Sequence, residues 1–530
     1  MKKLSTFHQL LFSFLLLVSL STYGQTSKQV APKKDIDALV VEGTIAGVQK
    51  NIKAGKCSCE EIVAAYLKRI AAYDQPTKLN SIILTNPNAL ISARALDKEW
   101  QSTKKMRPLF CVPVIVKDNY NTASIQTTAG SLAMKGFVPA KDATTVRKII
   151  NAGAIVLAKS NMAEWAFSPM VSISSIAGET LNPYNLEHVP AGSSGGTAAA
   201  VAASLGLVGL GTDTGNSIRG PSSHNALVGF RTTLGLVSRE GIAPLYIRND
   251  VAGPMTRTVE DATKMLEVIA GNDPADPITA NSKGKIPANY TQFLDPQGLK
   301  GARIGVLRLL SDRNPDPQVN ALFEQAIADL KRQGAEIIDA IDIPNFDSLR
   351  QNQWCSMFQH DINDYLTTYG APVKDLQDII ASGKFAPYIQ NNLNYHVKNA
   401  ATPTATSCTD AYHDARRIAY RNAVEGAMDK YQVAALIYPT WNNPPAKVGD
   451  FAGYKGDNSQ IIAPHTGQPA FTVPMGFTYD HLPAGLQFLG RMYAEPTLIK
   501  LIYAFEQATQ RRQAPALFPA LKKGAMNSTD

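Results

Sequence analysis

Two serines set in glycine turns are the residues whose types and spacing suit covalent catalysis. The first turn reads Gly192-Ser193-Ser194-Gly195-Gly196-Thr197, and the second reads Gly211-Thr212-Asp213-Thr214-Gly215-Asn216-Ser217-Ile218-Arg219-Gly220-Pro221. Ser193 and Ser217 stand 24 positions apart, room for one helix and one short strand. Glycine lacks a Cβ, so backbone N–H groups beside it can approach a bound atom closely. Such a turn can hold a nucleophilic hydroxyl next to an oxyanion pocket. A third block is the apolar run Val112-Pro113-Val114-Ile115-Val116-Lys117-Asp118-Asn119.

Further along, Gly253-Pro254-Met255-Thr256-Arg257-Thr258-Val259-Glu260-Asp261 and Gly485-Leu486-Gln487-Phe488-Leu489-Gly490-Arg491 complete a set of blocks. Their order and rough spacing resemble the amidase signature family, serine hydrolases that act on carboxamides, over about residues 40–515. The resemblance implies a Ser–Ser–Lys triad: Ser217 as nucleophile, Ser193 as bridging serine and Lys117 as base. It also implies a cis peptide between Gly192 and Ser193, which aims the Ser193 hydroxyl between Ser217 and Lys117. The backbone N–H groups of Thr214, Gly215, Asn216 and Ser217 would form the oxyanion hole. The implied reaction splits a carboxamide C–N bond through an acyl-enzyme, giving an acid plus ammonia or an amine. Peptide amides and N-acyl amides are both open as substrates, and neither a cofactor nor a metal is expected.

One position departs from the pattern. Relatives usually have glycine before the nucleophile, where this chain has Asn216. Asparagine tolerates unusual backbone angles, so the turn can form, but its side chain either narrows the pocket or meets the substrate. If it closes the oxyanion hole, the chain is a non-catalytic amide-binding paralogue. Asp213, Arg219 and Thr197 are expected to brace the turns, whereas His224 and Asn225 carry no assigned role.

Three other motifs compete for the chemistry. Gly192-Ser193-Ser194-Gly195-Gly196 also fits G-x-S-x-G, with Ser194 as nucleophile and a histidine such as His465 as partner. That elbow needs a strand directly before it, yet Asn182-Pro183-Tyr184-Asn185 and His188-Val189-Pro190 read as loop. Gly153 to Ser160 misses a phosphate-binding loop because Ala158 stands where glycine is required, and it reads as a buried strand with a polar end. Gly209-Leu210-Gly211 with Gly215 fails dinucleotide-loop spacing. The histidines show no metal-ligand spacing.

Elements that could hold these groups alternate along the chain. Ser58-Cys59-Glu60-Glu61 is a capping box that opens a helix. Strands are expected at 111–117, 154–158, 207–210, 302–307, 434–438 and 470–473, and helices at 144–151, 197–205, 258–269 and 318–333. The fold class is therefore α/β: an α/β/α arrangement with a large, mixed, mainly parallel central sheet covered by helices. Residues 271–300 read as a surface excursion, and residues 345–430 as specificity-setting loops or plain helical cover.

The chain of 530 residues has ordinary apolar content. Lys2-Lys3, the apolar run Leu10 to Leu20 and Thr22-Tyr23-Gly24 make residues 1–24 a signal peptide, leaving 25–530 as one exported domain, periplasmic or secreted. The alternative for that run is a retained anchor; no integral membrane span is expected after processing. Net charge of +8 falls to +6 without Lys2 and Lys3, and no basic cluster interleaves with aromatics as a nucleic-acid surface requires. The implied partner is a small-molecule or peptide amide; tRNA is not expected, and oligomeric state is open. Five cysteines leave at least one outside any intrachain pair, and Cys57 and Cys59 read as free thiols at a helix start.

Overall fold

Apolar runs of four to eight residues place the strands, and the structure is a computed structural model that describes residues 36–401 and 408–522. In chain order the strands are β1 (Ile82–Thr85), β2 (Val112–Lys117), β3 (Ala154–Ser160), β4 (Ile173–Ser174), β5 (Gly178–Glu179), β6 (Val208–Asp213) and β7 (Val228–Arg231). They continue with β8 (Val251–Thr256), β9 (Arg303–Val306), β10 (Glu336–Ile338), β11 (Ala435–Pro439), β12 (Ala470–Phe477) and β13 (Pro483–Leu489). Eleven of them form one sheet in the order β1-β3-β2-β6-β8-β7-β12-β13-β11-β9-β10. β4 and β5 pair separately. The signal peptide expected at residues 1–24 lies outside the described residues.

The sheet is mixed, but the expectation that it is mainly parallel needs correcting. β2 pairs parallel with β3 and β6, and β9 with β10 and β11. The other neighbouring pairs are antiparallel. Only residues 478–482 separate β12 from β13, too few for the crossover that a parallel pair demands. Parallel order therefore survives on two flanks around an antiparallel centre. Every residue of β2, β6 and β8 is buried, as expected of strands covered on both faces.

Helices Thr144–Asn151, Gly195–Ala202, Val259–Ile269 and Pro317–Arg332 occupy the expected segments. The capping box at Ser58 and Glu61 is formed in both directions. The helix Gly195–Ala202 is wholly buried against β2 and β6, and only small residues allow that approach. A Cβ on Gly196 would lie 2.2 Å from the Asn161 carbonyl oxygen, and one on Gly192 would lie 2.4 Å from that of Val171. Residues 271–300 hold short 3-10 turns and no strand, consistent with a surface excursion. Residues from Ile36 onward group as one compact unit. Among the described residues no helix is long and apolar enough to cross a membrane.

Two disulfides join Cys59 to Cys111 and Cys355 to Cys408. The reading of Cys59 as a free thiol is thereby corrected. Its partner stands one residue before β2, and the Cα atoms lie 5.6 Å apart, a proximity that only the tertiary fold creates. Cys57 is buried and belongs to neither bridge.

Candidate active site

The carboxyl ends of β2 and β6 lie side by side because the two strands pair parallel, with Val116 opposite Leu210. That is where open α/β sheets place their ligands. Lys117 closes β2, Thr212 and Asp213 close β6, and the Gly192-Ser193 turn leads into the helix Gly195–Ala202 above them. The Gly192–Ser193 peptide is cis. Lys117 Nζ lies 2.7 Å from Ser193 Oγ and 2.8 Å from Thr212 Oγ1. Burial pushes the amine down to about 7, although Asp250 and Asp213 pull the other way. Lys117 is thus poised between charge states near neutral pH.

Asp213 is the brace. Burial alone would raise its carboxyl, but Arg219 and Arg231 hold it at about 2. Arg219 Nε donates to Asp213 at 3.1 Å, Arg231 donates to it at 2.8 Å, and the Ile218 N–H donates at 3.2 Å. Arg219 also donates to the Gly215 carbonyl at 2.6 Å, so the chain after β6 is wound around a buried ionic knot. Thr197 shares a 2.6 Å hydrogen bond with Ser160 beneath the other turn. All three residues expected to brace the turns do so.

Thr214, Gly215, Asn216 and Ser217 line one cavity of about 230 Å³. Among the described residues nothing accepts a hydrogen bond from the backbone N–H groups of Gly215, Asn216 and Ser217. Donors of this kind, fixed before a substrate arrives, can stabilise a developing oxyanion. Thr214 is tied by its hydroxyl to Asp250 at 2.5 Å. The fold therefore brings Lys117 to Ser193, and brings the four turn residues to one cavity.

Ser217 and Ser193 are not hydrogen-bonded to each other here. Ser217 Oγ donates to Asn216 Oδ1 at 3.3 Å, while Asn216 Nδ2 donates to the Pro169 carbonyl at 3.0 Å. The residue that departs from the family pattern thus holds the hydroxyl expected to attack. Its side chain is directed at Pro169 and Ser217, and the residues that carry the unpartnered N–H groups still line the cavity.

Several contributors carried no local signal. Thr212 was visible only as a neighbour of Asp213, and Asp250 stands in no motif. Phe167, Leu245, Tyr246, Trp354, Phe358 and His396 supply the apolar wall. Trp354, Phe358 and His396 come from residues 345–430, so this segment both covers the sheet and shapes the cavity. His396 stacks on Phe167 at 5.4 Å, and burial pushes its imidazole down to about 4. Among the described residues no acid, lysine or arginine lines this cavity.

The competing motifs resolve as structure. Ser194 Oγ donates to the Thr212 carbonyl at 3.2 Å and does not line the cavity. His465 packs edge-on against Trp354 at 5.0 Å. Lys159 is buried and paired with Asp118 at 3.4 Å. His224 packs on Trp441 at 4.5 Å, and Asn225 donates to the carbonyls of Pro190 and Pro221 at 2.9 and 2.7 Å. Among the described residues no cluster of metal-binding side chains occurs.

This fold and this turn define the amide-hydrolase class of α/β protein. Residues 61–499 match the protein-family model described as Amidase. Over 497 residues the chain is 33% identical to a probable amidase of Arabidopsis thaliana, covering 90% of this chain and 92% of that one. It is 35% identical over 482 residues to a glutamyl-tRNA(Gln) amidotransferase subunit of Moorella thermoacetica, covering 87% and 95%. The native peptide amidase from Stenotrophomonas maltophilia matches with a TM-score of 0.80 and 37% identity, over 90% of this chain and 99% of that one. The chain belongs to the amidase signature family, enzymes that hydrolyse amides.

Proposed function

We propose that this amidase cleaves a linear, uncharged carboxamide through an acyl-enzyme on Ser217. The observation that carries the reading is the Lys117–Ser193 contact of 2.7 Å, made by an amine pushed down to about 7 beside a cavity rimmed with unpartnered N–H groups. In this scheme Ser217 turns from Asn216 toward Ser193 and attacks the amide carbonyl carbon. Its proton passes through the Ser193 hydroxyl to neutral Lys117. The oxyanion rests on backbone N–H groups of residues 214–217. Collapse breaks the C–N bond as the proton returns to the leaving nitrogen, and water then releases the acid by the same relay.

An uncharged substrate follows from the wall. Among the described residues the cavity has no acid, lysine or arginine, and its imidazole is kept neutral near pH 7, so it offers a charged acyl group no counter-charge. Likeness to a peptide amidase supports a peptide amide as one such substrate. We further propose export: a basic-apolar-small N-terminal pattern precedes a domain with two disulfides, which persist in oxidising compartments.

The test is peptide-mapping mass spectrometry after exposure to a fluorophosphonate. The expected adduct is on Ser217. The Asn216–Ser217 hydrogen bond favours one other reading, an amide-binding paralogue, and a folded protein with no adduct and no turnover of simple amides would establish it. An adduct on Ser194 would overturn both.

A further inference from the structure

The cavity at Ser217 encloses about 230 Å³, the space of a single ring and its amide, yet its apolar wall does not stop at the mouth. Four aromatic side chains stand exposed around it: Trp354 at 49%, Tyr388 at 37%, Phe451 at 51% and Tyr454 at 38%. Exposed rings in one cluster call for an explanation, because scattered single ones do not. Each of the four connects to the cavity. Trp354 is part of its wall, packed on Tyr246 at 5.7 Å. The Tyr388 hydroxyl meets Ser168, whose neighbours Phe167 and Pro169 both line the cavity. Phe451 stacks on Tyr388, with centroids 5.5 Å apart and planes 23° from parallel. Tyr454 hydrogen-bonds through its hydroxyl to Gln460 Nε2, and Asp457 accepts from the same nitrogen at 3.0 Å. This fixes the Gln460 amide, and its Oε1 presses so close to Gly215 that a Cβ there would lie 2.9 Å away. An unbroken chain of contacts runs from the backbone beside Ser217 to the outer rings.

We propose that these rings form an outer subsite for the part of an extended amide that projects from the cavity, and that it takes apolar or aromatic groups such as the side chains of a peptide amide. The inference rests on Ser217 as the reacting residue only for the direction in which the substrate enters. Trp354 is held by the Cys355–Cys408 bridge beside it, and Tyr388 and Phe451 hold each other, so the rings lose little freedom when a ligand covers them. Offset ring stacking gives such a site affinity without demanding one sequence.

Equilibrium binding to the Ser217→Ala protein separates this proposal from the catalytic one. The probes are N-acetyl-triphenylalanine amide, which is uncharged and extends past the mouth, and benzamide, which does not extend past it. Tyr388→Ala with Phe451→Ala should weaken the tripeptide amide about three- to tenfold and leave benzamide unchanged. Phe451→Leu, which keeps apolar bulk without the ring, should lie between, and guards against a double variant that misfolds. Equal weakening of both probes, no weakening of the longer one, or no binding of it before the rings are removed would each overturn the outer subsite. Wild-type hydrolysis by Ser217→Ala would instead overturn the nucleophile and leave the binding comparison standing.

Discussion

Lys117 ends β2 and Lys159 is the penultimate residue of its parallel neighbour β3, both wholly buried, and the contrast between them separates the lysine proposed as the base from a structural one. Burial pushes both amines down, to about 7 and about 8. Their partners differ. Lys159 lies 3.4 Å from Asp118, and donates to the Tyr120 carbonyl at 2.6 Å and to Thr127 Oγ1 at 2.8 Å. Lys117 meets only two hydroxyls, of Ser193 and Thr212, and joins no ion pair among the described residues. A carboxylate in contact rewards a lysine for staying charged, whereas a hydroxyl accepts either charge state. Desolvation brings both near neutrality, and the partner decides which one can give up its proton.

The sharpest break in this comparison is to remove each amine in turn. Lys117→Met should cut amide turnover by about a thousandfold or more while the protein stays folded, as checked by kcat/KM alongside circular dichroism. Intact turnover would end the assignment of the base. Lys159→Met should do the reverse. Leaving Asp118 buried without its cation costs about 3–5 kcal/mol of folding free energy, read as a shift in the denaturant midpoint, while the folded fraction keeps its activity.

A pH profile sharpens the contrast next. The scheme needs uncharged Lys117, so activity should rise with pH through about 7 and then level. Two units below that value roughly one amine in a hundred remains neutral, so the rate at pH 5 should be about a hundredfold under the plateau. A profile flat down to pH 5 would exclude a lysine base. The smallest effect belongs to Asn216→Gly, which removes the acceptor now holding the Ser217 hydroxyl. With one neutral hydrogen bond gone, fluorophosphonate labelling of Ser217 should speed up about two- to tenfold. Slower labelling would mean that Asn216 helps to aim the nucleophile.

The sequence carried the chemistry further than the architecture. Glycine turns and an apolar strand ending in lysine are local patterns, and the burial of Lys117, the cis bond and the bracing of Asp213 followed from them and from the family resemblance they carry. Strand direction is not local. The connection between β12 and β13 makes a tight antiparallel return, but the long segments on either side of β7, 214–227 and 232–250, leave strand direction to the packing of the whole sheet. The Cys59–Cys111 bridge was hidden for the same reason, since its two ends are 52 residues apart and no motif links them. Asp250 was invisible because a carboxylate fixed by the hydroxyl of Thr214 and the N–H groups of Leu245 and Tyr246 has no sequence signature. Trp354 and Phe358 stand in no motif, and only the fold brings them to the cavity that Ser217 also lines.

The bridge between Cys355 and Cys408 ties together two positions 53 residues apart, and the stretch between them supplies Phe358, Asn392 and His396 to the cavity wall but none of Lys117, Ser193 and Ser217. Chemistry and taste are thereby written on separate parts of the chain. The segment is not detachable, because Tyr365 donates to Asn121, Asp361 pairs with Arg248, and its helices share a core with Ala129, Met134 and Trp165. A library confined to its cavity-lining positions Phe358, Asn392 and His396, with the bridge left in place, would vary the wall while Ser217, Ser193 and Lys117 stay unchanged.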